Sequence, residues 1–176
     1  HTGEQPNGSE IALARYNTNG SLDAAIGGDG KIITAFGGGY NLGTSVAVSD
    51  GKILSAGWLN NTQSHDFALA RFLNNGSLDT TFGGSGVAVV DFNGGDDQVY
   101  AMAVLPDGKI VLAGTTLQGG GRDYALARFC ADGNLDNGVN CGSPGFAAGG
   151  KIITDFGGQE DVAALLLQPD GDLVAA

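Results

Sequence analysis

The run Ala-Leu-Ala-Arg occurs three times, ending at Arg15, Arg71 and Arg128, so it returns after 56 and then 57 residues. What surrounds it returns in phase. "IALARYNTNGSLD" from Ile11, "FALARFLNNGSLD" from Phe67 and "YALARFCADGNLD" from Tyr124 are followed by "GKIITAFGGG" from Gly30, "GVAVVDFNGG" from Gly86 and "GKIITDFGGQ" from Gly150. "VAVSDGKILSAG", "MAVLPDGKIVLAG" and "LLLQPDGDLVAA" form a third matching set. A period of about 57 residues marks a supersecondary unit that buries its apolar face against copies of itself.

Each unit reads as four short strands, for example Val99–Leu105, Lys109–Thr115, Tyr124–Phe129 and Lys151–Phe156. Asp-Gly in "SDGK" and "PDGK" and Asn-Gly in "TNGS" and "NNGS" sit between apolar runs, where residues tolerant of positive φ make hairpin turns. The 32 glycines among 176 residues show no three-residue period and mark such corners. "AALLLQ" is apolar enough for a helix, but Pro-Asp-Gly follows at once and the segment aligns with strands in the other copies. Four-stranded antiparallel units with no helices between them point to an all-β protein, a β-propeller in which each unit is a blade.

The phase of the repeat implies complete blades at 43–92 and 98–156, with half blades at 1–37 and 160–176. Ala113 lies eleven residues before Tyr124, and stepping from Ala176 through His1 to Ile11 also takes eleven. The ends therefore match as two halves of a third, split blade. Three blades do not close a ring, since propellers have four to eight. The expectation is self-association through the terminal half blades, as a two-fold ring of six blades or a head-to-tail filament, unless the chain is a window of a longer array.

"DFALARFLNNGSLDTTFGGSG" from Asp66 and "AVLPDGKIVLAG" from Ala103 resemble the delta-60 repeat, a β-propeller repeat of mostly bacterial, often secreted or surface-attached proteins. The resemblance implies fold and location and carries no catalytic residues with it. The chain departs from the pattern at Val139 and Asn140, where "TFG" is expected, and in the residues bracketed by Cys130 and Cys141. Those cysteines lack zinc-site spacing; the reading expected is a disulfide, with two reduced, buried thiols as the alternative, and a disulfide implies an oxidising compartment, extracellular or at the cell surface.

The recurring pairs Arg15 and Asp23, Arg71 and Asp79, and Arg128 and Asp136, each eight residues apart, read as structural ion pairs, because an active site is rarely repeated three times. No catalytic residues are expected: His1 and His65 are the only imidazoles, and neither GxSxG nor HExxH is present. Asp96–Asp97 and Glu160–Asp161 fall at corresponding turns and are candidates for glycoside-hydrolase carboxylates or Ca²⁺ ligands; as simple solvated turns they need no cofactor or metal. Trp58, with Tyr40 and Tyr100 near it in the repeat, is a candidate for stacking on a sugar ring. A net charge of −11 with eight Lys and Arg argues against a nucleic-acid partner, and no apolar run is long enough to span a membrane. The function expected is a structural, assembly or adhesion component of the surface. The alternative is a lectin-like propeller binding a glycan or surface protein, with a glycoside hydrolase third.

Overall fold

The computed structural model describes residues 10–34, 41–61, 64–142, 144–147 and 149–176, and these contain strands, turns and bends but no helix. None of the described residues therefore forms a helix long and apolar enough to cross a membrane. The strands are β1 (Ile11–Ala14), β2 (Lys31–Thr34), β3 (Asn41–Ser49), β4 (Lys52–Asn61), β5 (Ser64–Phe72), β6 (Val87–Val90), β7 (Gln98–Val104), β8 (Ile110–Gln118), β9 (Gly121–Phe129), β10 (Lys151–Thr154), β11 (Leu165–Leu167) and β12 (Leu173–Ala175). They form four antiparallel sheets: β1-β2, β3-β4-β5-β6, β7-β8-β9-β10 and β11-β12. β1 lies against β3, β3 against β7 and β7 against β11, so the sheets stack in chain order.

Register repeats with the sequence. Phe67 faces Val90 across β5 and β6, as Tyr124 faces Thr154 and Ile11 faces Thr34. Asp50 and Gly51, both at positive φ, turn β3 into β4, and Gly119 and Gly120 at φ 56° and 95° turn β8 into β9. That last turn lets β8 and β9 run three residues past Thr115 and Tyr124, where the sequence pattern placed their ends. β10 stops at Thr154 instead of Phe156, because the Asp155 carboxylate accepts the Gly157 N–H at 2.6 Å and bends the chain.

The middle strands are apolar on both sides because both of their faces are covered. Asp66 to Ala70 in β5 and Ile110 to Thr116 in β8 are buried without a break. Leu54, Phe67, Leu69, Phe82, Phe92, Val99, Ile110, Leu112 and Phe129 fill the space between the two four-stranded sheets. Ile26, Ile32, Ala70 and Phe72 join the β1-β2 sheet to its neighbour.

The first strand of each full sheet carries a β-bulge, between Gly43 and Ser45 and between Val99 and Ala101. Opposite the bulges lie Gly57 and Gly114, where a Cβ would sit 1.7 Å from the Leu42 carbonyl oxygen and 2.0 Å from that of Gln98. Only backbone is in the way, so no side chain can yield. Gly114→Ala is expected to cost about 3 kcal/mol by forcing the ladder apart, read as a lower urea midpoint with an unchanged m-value.

Candidate functional site

Each arginine of the repeat is held by the acid eight residues on. Nε lies 2.8 Å from Oδ2 for Arg15 and Asp23, 2.9 Å for Arg71 and Asp79, and 2.8 Å for Arg128 and Asp136. Lys52 adds a second cation on Asp79 at 2.8 Å, and Lys109 does so on Asp136 at 3.6 Å. The hydrogen bond from Lys52, with that from the Thr81 hydroxyl, holds the Asp79 carboxyl well below the usual carboxylate range despite its burial. These pairs leave Nη1 free to reach outward.

What it reaches is the next repeat. Arg15 Nη1 donates to the Asn74 carbonyl at 3.1 Å and to Asn74 Oδ1 at 2.6 Å, and Arg71 Nη1 donates to the Ala131 carbonyl. Beside these bonds, the Gly27 N–H donates to the Asn75 carbonyl at 3.0 Å and the Gly83 N–H to the Asp132 carbonyl at 2.8 Å. The turn that receives them is stiffened by its own side chain, Asn75 Oδ1 accepting the Ser77 N–H and Asp132 Oδ1 the Asn134 N–H, both at 3.0 Å. At its tip Gly76 and Gly133, at φ 90° and 91°, press on Ile26 and Phe82 with no room for a Cβ. Each joint is thus an Asn-Gly or Asp-Gly plug in a socket made of an arginine, an apolar side chain and a backbone N–H.

A third socket follows the third arginine, and Phe146 forms it. Arg128 lies 4.6 Å over the Phe146 ring as Arg71 lies 4.4 Å over Phe82. The Phe146 N–H bonds the Asp136 carbonyl, and the Gly150 N–H bonds the Phe146 carbonyl, as Phe82 and Gly86 do one repeat earlier. Val139, where the aligned pattern expects the aromatic, is instead 83% exposed. The segment tethered by the Cys130–Cys141 disulfide, whose Cα atoms are 5.4 Å apart, displaces the aromatic along the chain. Counting backwards would have found it, since Phe146 precedes Gly150 by the same four residues that separate Phe82 from Gly86. Ala147 takes φ 47° where Gly27 and Gly83 take 62° and 58°.

Among the described residues this third socket has no plug and the first plug has no socket. Gly20, at φ 84°, has nothing within 4 Å of its Cβ position, whereas Gly76 and Gly133 are crowded. The strands beside them are equally unmatched: β1 pairs with β2 alone and β12 with β11 alone. Val174 in β12 is 45% exposed, while Leu54 and Val111 at the same place in complete sheets are 1% and 0% exposed.

The remaining candidates lie apart from this feature. Trp58 stacks edge-on against His65 with ring centroids 4.2 Å apart, and His65 in turn is bonded to Asp96 through its backbone N–H and through Nδ1. The Tyr100 hydroxyl donates to Gln98 Oε1 at 2.6 Å. Tyr40 and His1 fall outside the described residues. The adjacent acid pairs do not act as pairs. Asp97 turns inward, its Oδ2 accepting the Phe92 N–H at 2.7 Å, while Asp96 turns to His65. Burial pushes the Asp97 carboxyl up to about 7 against the hydrogen bonds from Thr116 and Phe92, and the charges of Asp91 and Asp66 add to the rise. Asp161 faces Arg122 at 3.6 Å on the surface, and Glu160 takes the backbone position of Asp97, its N–H bonding the Arg122 carbonyl as that of Asp97 bonds the His65 carbonyl.

Antiparallel four-stranded sheets stacked in chain order and pinned by a repeated plug define an all-β, propeller-like repeat protein. The chain belongs to the beta-propeller family described as a domain of unknown function (DUF5122), whose model matches residues 5–25, 49–82 and 105–138. Each matched segment takes in one arginine and its plug. No curated protein matches the sequence.

Proposed function

We propose that the protein is a non-catalytic scaffold of the delta-60 repeat type, extracellular or at the cell surface, whose copies join head to tail by completing a split blade. The observation that carries this reading is the matched pair of unused half-joints, a plug in the first repeat and a socket in the last. In the joined state β1 of one copy lies along β12 of another, with Arg15 across from Val174 as Arg71 is across from Leu54. The Gly20 turn rests on Phe146, Arg128 donates to the Thr18 carbonyl and the Ala147 N–H to the Asn19 carbonyl, repeating the two joints within the chain.

Joining buries strand edges that otherwise invite indiscriminate pairing. A head-to-tail contact closes as a six-bladed ring of two copies or continues as a filament. The disulfide supports an oxidising location. Light scattering and negative-stain images of the 176-residue chain test the reading: rings of two copies or threads are expected, and a monomer at every concentration overturns it. Gly20→Asn keeps a residue that tolerates positive φ but places a side chain in the joint. It is expected to yield folded monomers with the circular dichroism spectrum of wild type, and assembly equal to wild type also overturns the proposal.

A further inference from the structure

A second feature repeats in the two complete sheets and is independent of assembly. Asp66 in β5, Asp91 directly after β6 and Asp97 directly before β7 each bring a carboxylate oxygen to within 4.8 Å of the other two. One repeat on, Asp123 in β9, Asp155 directly after β10 and Glu160 do the same. The placement follows from register. Phe67 faces Val90 and Tyr124 faces Thr154, so the next residues outward on the paired strands, Asp66 with Asp91 and Asp123 with Asp155, are neighbours. The third acid arrives on the loop that crosses to the following sheet, where the N–H of Asp97 or Glu160 bonds back to the strand carrying the first acid.

Acids this close repel, and among the described residues no cation answers most of them. Asp91, Asp97, Asp123, Asp155 and Glu160 take part in no ion pair among the described residues, although the acid paired with each repeat arginine, Asp23, Asp79 or Asp136, does. Asp97 is 0% exposed and its Oδ1 accepts no hydrogen bond, and the buried Oε2 of Glu160 likewise accepts none. A buried carboxylate oxygen with no donor is costly unless something cationic meets it. Asp91, Asp155 and the lips of the turns stay open to solvent. Over the second cluster the opening is a cleft of about 630 Å³ lined by Gln118, Asp123, Asp155 and Gln159 among glycines.

We propose that each of these acidic crossovers binds one Ca²⁺ ion, the first through Asp66, Asp91 and Asp97 and the second through Asp123, Asp155 and Glu160. Three carboxylates, one on a strand and two on the segments that follow its partner strand, suit a hard cation that accepts six to eight oxygens at varied angles, and suit Mg²⁺ poorly, because it demands near-octahedral geometry and keeps its waters. The ion ties the third and fourth strands of one sheet to the loop entering the next. The first repeat carries Glu10, Ala35 and Asn41 at the matching sequence positions, so two sites per chain are assigned and not three.

Calorimetric titration of the EDTA-stripped full chain with CaCl₂ tests this. Two ions per chain are expected, falling to one in Asp97→Asn and to none in Asp97→Asn with Glu160→Gln, while circular dichroism confirms that each variant folds. Asp91→Asn, at an exposed position where an amide oxygen can still accept the Gly94 N–H, is expected to weaken the first site about tenfold or more by removing one ligand charge. Absence of binding at millimolar Ca²⁺, stoichiometry unchanged in Asp97→Asn, or equal binding of Mg²⁺ would each overturn the assignment. None of these outcomes depends on whether copies of the chain join.

Discussion

Asp79→Ala is expected to destabilise the protein by about 3 kcal/mol, the low end of what breaking a buried ion pair costs. The carboxylate is 5% exposed and accepts from Lys52 at 2.8 Å, Arg71 at 2.9 Å and Thr81 Oγ1 at 2.6 Å. Removing it leaves the Arg71 guanidinium, 13% exposed, without its acid, while Lys52, 35% exposed, can turn to water, which limits the loss. The neighbouring joint loosens with it, because Asp79 sets the angle at which Arg71 reaches Ala131. Urea unfolding of wild type and variant reads the difference. Since the folded carboxyl sits below its unfolded value, its contribution is fully present above the ordinary range near pH 4 and is lost as pH falls through the lowered value. The stability gap between wild type and Asp79→Asn should therefore be flat from neutral pH down to about 5 and close only in strong acid. A gap that closes near neutrality would contradict this account of Asp79.

Phe82→Ala is expected to cost about 3–5 kcal/mol, the range for deleting a buried phenylalanine. Phe82 is 0% exposed, sits under Arg71 and supports Gly133 of the next repeat, so its loss opens a cavity that two sheets share. Phe146 has the same place one repeat further on but is only half-buried, with no plug over it among the described residues. Phe146→Ala should cost about 1 kcal/mol in the separated chain, a typical value for a partly exposed side chain, while abolishing the proposed assembly. Urea midpoints measured beside light scattering distinguish the two roles. Equal losses of stability at the two positions would mean that Phe146 is already covered.

Local features of the chain were readable because they depend on neighbours in sequence. A turn made of Asp-Gly between apolar runs forms wherever those residues stand, and residues eight apart on either side of an Asn-Gly turn meet for the same reason, as Arg71 and Asp79 do. The sheet order, the hairpins and the membership of a propeller family all follow from a pattern repeated at 56 and 57 residues. Elements that depend on packing between repeats were not readable. Nothing adjacent to Arg71 in sequence points to the Ala131 carbonyl, sixty residues away, and the offset introduced after Asp136 hid Phe146 behind Val139.

The acids show the same division more sharply. In the sequence Asp96 and Asp97 stand side by side and invite a joint role, yet Asp97 is held by its own bonds, its N–H to the His65 carbonyl and its carboxylate to the Phe92 N–H, which turn it away from its neighbour. Asp96 meets His65, while Asp97 turns in toward Asp66 and Asp91, which come from other segments. By itself the sequence determined the unit, its strands and its local ion pairs, since short-range sterics and hydrogen bonding act within one repeat. Only the tertiary structure decided which side chains face across the joints and which carboxylates converge, because strand register and sheet stacking bring together residues that the chain keeps far apart.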